Sequence, residues 1–263
     1  PIKALVRYPQ QAEALRAFSN CEPILGDLRE PSSFSKSLDG VESVYYICPN
    51  VAPDEVEIGN QLINYAKQYG VNRFCYHSVL HPQIETMPHH WQKMRMEESL
   101  FKSGLDFTIL QPCAYMQNIL GGWNSIKAGK YFIPYNISAR LSVVDLEDIA
   151  AAAAIVMTQP GHENAIYELA GPQALSQIQV ASELSSALGI SVEAIEQPRN
   201  DWHKNAEISG MDRYAIETLL KMFEYYDQFG LVGNANTLHH LLGCEPATFQ
   251  QFLNKTLKSG DNL

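Results

Sequence analysis

Through the first half of the chain, short apolar runs rich in β-branched and aromatic residues alternate with segments of helical pattern. No other feature constrains the fold as much. Residues 2–7 (IKALVR) read as a strand and 11–18 as a helix with Ala14, Leu15 and Phe18 on one face. A short strand over 22–26 follows, then a helix over 31–38 announced by Pro31, a favoured first-turn residue. Residues 44–48 (VYYIC) form a continuous run of the kind buried on both faces. A long amphipathic helix over 54–69 stops at Gly70, and the pattern repeats as strand 73–78, helix 91–103 and strand 107–111. Strands separated by helix-length segments join through crossovers and lie parallel. The expected class is therefore α/β, a Rossmann-like doubly wound parallel sheet.

After Pro112 the rhythm loosens. Strands are expected at 131–134, 141–144, 165–169 and 192–197, with helices at 146–157 and 176–188 and a mostly helical chain from Met211 onward. This divides the molecule into a dinucleotide-binding core over residues 1–120 and a smaller α/β lobe over 121–263, some of whose segments return to the core. With 46% hydrophobic and 18% charged residues the chain has an ordinary globular mixture. The net charge of −10, without a basic run, argues against a nucleic-acid backbone as a direct ligand. No apolar stretch reaches the ~20 residues of a membrane span. The five cysteines are scattered without CxxC spacing, which suits a reducing, cytoplasmic setting and neither a disulfide scaffold nor a zinc knuckle.

In a sheet of this class, ligands lie outside the carboxyl ends of the strands. The first run ends in Arg7, which is either a solvated arginine or a clamp for a 2′-phosphate. The second ends in Gly26 and Asp27, a plain turn or a place where the backbone approaches an adenine whose amine the carboxylate accepts. VYYIC runs into Cys48 and Pro49, a loop expected beside the cofactor's ribose and pyrophosphate, with Cys48 a small buried hydrophobe. The later strands end in His77 and Ser78 and in Pro112, Cys113 and Tyr115, both expected to border a nicotinamide. His89 and Lys93 stand four apart on one helical face. Lys93 could hold a nicotinamide ribose, or pair on the surface with Glu97. His89 and His90 lack a third metal ligand at fitting spacing, so no metal is expected. The aromatic tail, Met222, Phe223, Tyr225, Tyr226 and Phe229, reads as core ahead of a pocket wall or partner surface.

Several segments in order carry a resemblance: ALVR, GDLREPSSFSKSLDGVESVYYICP, KQYGVNRFCYHS, HHWQKMRMEESLFKSGLDFTILQPCAYMQNIL, LSVVDLEDIAAAAA, GHENAIYELAGP and GLVGNANTLHHLLGCEPATFQQFL. They resemble the NmrA-like branch of the atypical short-chain dehydrogenase/reductase superfamily over nearly the whole chain. The resemblance implies NADP(H) binding through Arg7, Asp27 and Leu28, with the Cys48–Pro49 loop at the ribose. It puts Lys93 on the family's helix lysine, and Tyr115, Met116 and Asn118 at the start of the substrate wall.

Two departures qualify this. His89 stands where the superfamily carries a tyrosine four residues before the lysine, so the usual phenol proton donor is missing. Members of the branch accordingly either pass hydride from NADPH to electron-poor acceptors such as quinones or bind NADP as sensors of a protein partner. Lys93 and His89 are the candidate catalytic pair, with His77 or a water as other proton sources. Secondly, the fold's first strand, glycine-rich turn and first helix belong about 30 residues before Pro1. The sequence is thus expected to be a piece that lacks the sheet's central strand; only a protein that truly began at Pro1, without the turn's amides, is expected to bind the cofactor weakly or not at all.

Overall fold

The structure, a computed structural model, describes residues 1–258. Chain order begins β1 (Ile2–Val6), α1 (Pro9–Leu15), β2 (Cys21–Leu25), α2 (Pro31–Phe34), β3 (Ser43–Ile47), α3 (Glu55–Gln68), β4 (Arg73–His77), α4 (Pro88–Phe101) and β5 (Asp106–Pro112). It continues with β6 (Ala114–Tyr115), α5 (Trp123–Lys127), β7 (Lys130–Ile133), β8 (Arg140–Val144), α6 (Leu146–Thr158), β9 (Ala165–Leu169) and β10 (Gln173–Ser176). The remainder is α7 (Gln177–Leu188), β11 (Glu193–Glu196), α8 (Arg199–Ile208), α9 (Arg213–Phe229), α10 (Asn236–Leu242) and α11 (Phe249–Lys258).

The expected α/β class is what forms. Strands β3, β4, β5 and β9 make one parallel sheet in the order β3-β4-β5-β9. Both faces are covered, as side-chain alternation requires. Tyr46, Phe74, Tyr76 and Ile109 point to a core shared with Ile58 and Leu62 of α3 and Met96 and Leu100 of α4. Their neighbours Tyr45, Cys75 and Leu110 point the opposite way, to Ile149, Ala152 and Val156 of α6. Strand β9 comes from the second half of the chain yet pairs with β5, so the core is completed by a returning segment.

β1 and β2 pair in parallel as a separate ribbon, from Ile2 opposite Cys21 to Val6 opposite Leu25. Among the described residues β1 pairs only with β2 and β3 only with β4, so each keeps one unpaired edge. That lane is where the expected strand order puts its central strand. Leu5 and Leu28 still pack on the core beneath β3 and β4. Two small sheets, β10-β8-β6 and β11-β7, frame the second half around a core of Met116, Trp123, Val180, Leu184 and Phe252.

Local differences from the sequence reading have local causes. The helix expected over 31–38 is one α turn followed by a 3-10 turn over Ser35–Leu38, because Phe34 leaves helical geometry with φ −129°. The helix expected from residue 91 begins at Pro88, whose fixed φ suits a first helical position. Residues 11–18 close earlier, with Pro9 at the start of the helix and Phe18 already in the turn after Leu15.

Between β9 and β10 the chain crosses β8 at Gly171, where an added Cβ would lie 2.1 Å from the Val143 carbonyl oxygen. Backbone cannot yield as a side-chain tip can. Gly171→Ala is therefore expected to lose about 2–4 kcal/mol of stability and to lower Tm by roughly 5 °C or more. Gly121→Ala, which meets nothing within 4 Å, is expected to stay within ~0.5 kcal/mol of the parent. Thermal unfolding of the two variants side by side checks this.

Candidate functional site

Parallel pairing brings the carboxyl ends of β3, β4 and β5 to one edge of the sheet. A cleft of about 1250 Å³ opens beyond that edge. Its floor holds Cys48 after β3, His77 and Ser78 at the end of β4, and Pro112, Cys113 and Tyr115 at and after the end of β5. His89 and Lys93 reach it from the first turns of α4, and Met116 and Asn118 from the turn after β6. The far wall is aromatic, with Tyr131, Tyr135, Trp202 and Phe223 from the second half. Ten sequence candidates are thereby brought together. Arg7, Gly26, Asp27, Leu28 and Pro49 do not line this cleft.

Lys93 is held by charge. Its Nζ lies 2.8 Å from Oε1 of Glu55, a carboxylate with 1% exposure, and 5.5 Å from the centre of the Tyr76 ring. The Tyr76 hydroxyl donates to the same Glu55 oxygen at 2.5 Å. Glu55 starts α3, where the helix dipole favours a carboxylate, and Lys93 and Tyr76 supply its partners. The alternative pairing of Lys93 with Glu97 does not form. Glu97 instead accepts from the Ser78 hydroxyl and from Gln111 Nε2 at 2.9 and 3.1 Å. Burial raises the Glu97 pKa, partly offset by those two donors.

On the opposite face of the sheet, His77 is bonded at both ring nitrogens: Nδ1 lies 2.6 Å from the Tyr45 hydroxyl and Nε2 2.7 Å from the Tyr115 hydroxyl. Burial, reinforced by the Lys93 charge, lowers its pKa to about 4. Burial likewise raises Tyr115 to about 12. Tyr45 was not a sequence candidate. Its register partner is Cys75, so His77 lies two residues along the neighbouring strand on the same face, within diagonal reach. Only the register reveals that meeting.

His89 packs edge-on against His90, with ring centres 4.6 Å apart, and its Nδ1 is buried without a partner. Burial, then the neighbouring His90 and Lys93, lower its pKa to about 3. The thiols of Cys48 and Cys113 are pushed up to about 12 by burial, so both stay protonated. Just past Cys48, Val51 holds φ +49°, a strained conformation for a β-branched residue.

Arg7 and Asp27 meet each other, with Arg7 Nε 3.1 Å from Asp27 Oδ2, at the carboxyl ends of β1 and β2. Arg7 remains 57% exposed. Asp27 Oδ1 also accepts from the Arg29 amide at 2.9 Å, and Arg29 grips Asp54 through two bonds of 2.6 and 2.8 Å. Arg29, which the sequence reading passed over, thus ties the β2 loop to the start of α3. At Gly26 a Cβ would come within 2.9 Å of Leu5 Cδ1 and Ser33 Oγ and 3.2 Å of the Ser33 carbonyl oxygen, so a side chain there would require those neighbours to shift. Among the described residues no three or more metal-ligating side chains gather, and no helix is long and apolar enough to cross a membrane.

Three histidines line the cleft, His77 and His90 buried and His89 half-buried, with His77 and His90 at about 4 and His89 at about 3 against an ordinary 6.5. Each folded pKa lies below its unfolded value, so the unfolded chain binds more protons as pH falls below 6.5. Stability is expected to fall from pH 7 to pH 4, by up to ~1.4 kcal/mol per pH unit for each histidine. His89→Asn should flatten part of that slope. Urea unfolding across this range measures it, and an unchanged slope in the variant would contradict it.

The model of the NmrA-like family matches residues 1–253. The chain is 32% identical over 255 residues to the NAD(P)H azoreductase of Xenophilus azovorans, spanning 96% of this chain and 88% of that one. It is 27% identical to quinone oxidoreductase 2 of Escherichia coli over 95% of this chain and 87% of that protein. The crystal structure of an NADPH-dependent quinone oxidoreductase from Escherichia coli, complexed with NADPH, superposes with a TM-score of 0.84 at 26% identity, covering 97% of this chain and 90% of that one. With the family model matched over residues 1–253, the chain belongs to the NmrA-like family.

Proposed function

We propose that this chain is an NADPH-dependent oxidoreductase that passes hydride to a quinone-like or conjugated acceptor in the cleft beyond β4 and β5. The observation that carries this reading is the position of the cleft: it opens at the carboxyl edge of a doubly wound parallel sheet, where dinucleotides bind, with Lys93 at its floor. The relatives named for NAD(P)H-dependent reduction of azo and quinone compounds agree with it. All five cysteines are free, which fits a cytoplasmic setting.

The residues present fit a nicotinamide dinucleotide. The buried Nδ1 of His89 in the cleft is unpartnered, and the Lys93 ammonium beside it can donate to a ribose hydroxyl. At the other end, the exposed Arg7 guanidinium suits a 2′-phosphate and Asp27 an adenine amine. Cys48 and Pro49 would flank the ribose, and Ser78, Pro112, Cys113 and Tyr115 the nicotinamide. A reduced nicotinamide supplies hydride. Lys93 orients it, the aromatic wall excludes water, and Met116 and Asn118 bound the space left for the acceptor.

Two measurements follow. NADPH mixed with the intact protein and a panel of quinones should be oxidised, seen as loss of reduced-nicotinamide absorbance; tight binding without oxidation of any acceptor would favour a sensor that signals to a protein partner. Arg7→Glu should weaken NADPH binding by about 10–100-fold while leaving NADH within about threefold, since it replaces a charged hydrogen-bond donor with a repelling carboxylate. Equal loss for both cofactors would refute the role of Arg7.

A further inference from the structure

We propose that Tyr115 delivers the proton that completes reduction of the acceptor, with His77 as a relay behind it and Tyr45 as the residue that sets the relay's direction. This rests on the reading of the cleft as a hydride-transfer site. A hydride adds two electrons and one proton, so a quinone or azo acceptor is left one proton short. The residues expected to fill that need are poorly placed for it. Lys93 is committed to Glu55, and His89 has no partner at Nδ1 through which a proton could be resupplied.

The chain Tyr45–His77–Tyr115 has what they lack. Its outer residue, Tyr115, lines the cleft, and its two hydrogen bonds are 2.6 and 2.7 Å. The ring between them is neutral at working pH, because it is buried between two phenols and feels the positive charge of Lys93. A neutral imidazole carries one N–H. If Tyr45 donates to Nδ1, the hydrogen sits on Nε2 and points at the Tyr115 oxygen, which turns the Tyr115 O–H toward the cleft. The other tautomer would draw that O–H inward and make it useless as a donor.

The transfer balances. The nicotinamide's hydride supplies the electron pair. The Tyr115 O–H bond breaks as an O–H or N–H bond forms on the anionic acceptor. The proton on His77 Nε2 moves to the Tyr115 oxygen, Nδ1 takes the Tyr45 proton, and water restores Tyr45; exchange of the ring proton with solvent then returns His77 to its Nε2–H tautomer. No net charge stays on the protein.

An acceptor that is already a cation separates proton delivery from structure. A triarylmethyl cation dye becomes neutral on receiving hydride and needs no proton. Tyr115→Phe is expected to slow quinone reduction by about 10²-fold or more in kcat, with KM within about threefold, and to slow it at least tenfold more than dye reduction. Tyr45→Phe should lower quinone kcat by about tenfold with KM held. Independently of cofactor and acceptor, 15N-imidazole NMR of the ligand-free protein should show His77 as the Nε2–H tautomer from pH 5 to 9, and a mixture of tautomers in Tyr45→Phe. Equal slowing of both acceptors by Tyr115→Phe, no slowing of either, or an Nδ1–H ring in the parent would overturn the relay. Failure of the parent to bind or oxidise NADPH would instead sink the cofactor reading, and the tautomer would still judge the relay.

Discussion

Everything in this molecule hangs on parallel pairing of strands that are buried on both faces. A parallel strand cannot return by a tight turn, so α3 carries the chain from β3 to β4 and α4 from β4 to β5, and the carboxyl ends accumulate at one edge. The same pairing forces neighbouring side chains to opposite faces. In β4, Phe74 and Tyr76 enter one core while Cys75 enters the other. At the edge this alternation delivers two different chemistries side by side: the Glu55–Lys93–Tyr76 cluster on one face and the Tyr45–His77–Tyr115 chain on the other.

Burial then decides which partners each group needs. A carboxylate that is 1% exposed is tolerable in Glu55 because an ammonium and a phenol both satisfy it. Glu97 is satisfied by neutral donors, and its pKa is raised. His77, His89 and His90 are pushed down by burial and stay neutral. At the sheet edge the cleft therefore offers the held Lys93 ammonium beside uncharged donors, while Glu196 and Asp201 lie among the residues lining it from the second half. That is suited to a reaction in which charge arrives as hydride and leaves as a neutral product.

The class of fold was legible because 44–48, 73–78 and 107–111 are apolar runs spaced by helix-length segments, and each became a strand of the central sheet. Site residues at strand ends were legible for the same reason: topology alone places His77, Ser78, Pro112 and Tyr115 at the carboxyl edge. What escaped depended on register and on helix rotation. Glu97 and Lys93 are four apart on one helix, yet Glu97 turns to Gln111 while Lys93 finds Glu55, 38 residues away in sequence. Tyr45 gave no sign of its role, since its partner is set by pairing with Cys75 on another strand. Arg29 was passed over because its partner Asp54 lies 25 residues on, across a loop.

The central claim is that the edge beyond β4 and β5 is where a reduced nicotinamide and its acceptor meet. A crystal structure of the intact protein with NADPH bound tests it most directly. The account predicts the nicotinamide ring against Pro112 and Tyr115, its ribose within hydrogen-bond distance of Lys93 Nζ, and the 2′-phosphate at Arg7. A nicotinamide found outside this cleft, or a 2′-phosphate far from Arg7, would contradict it.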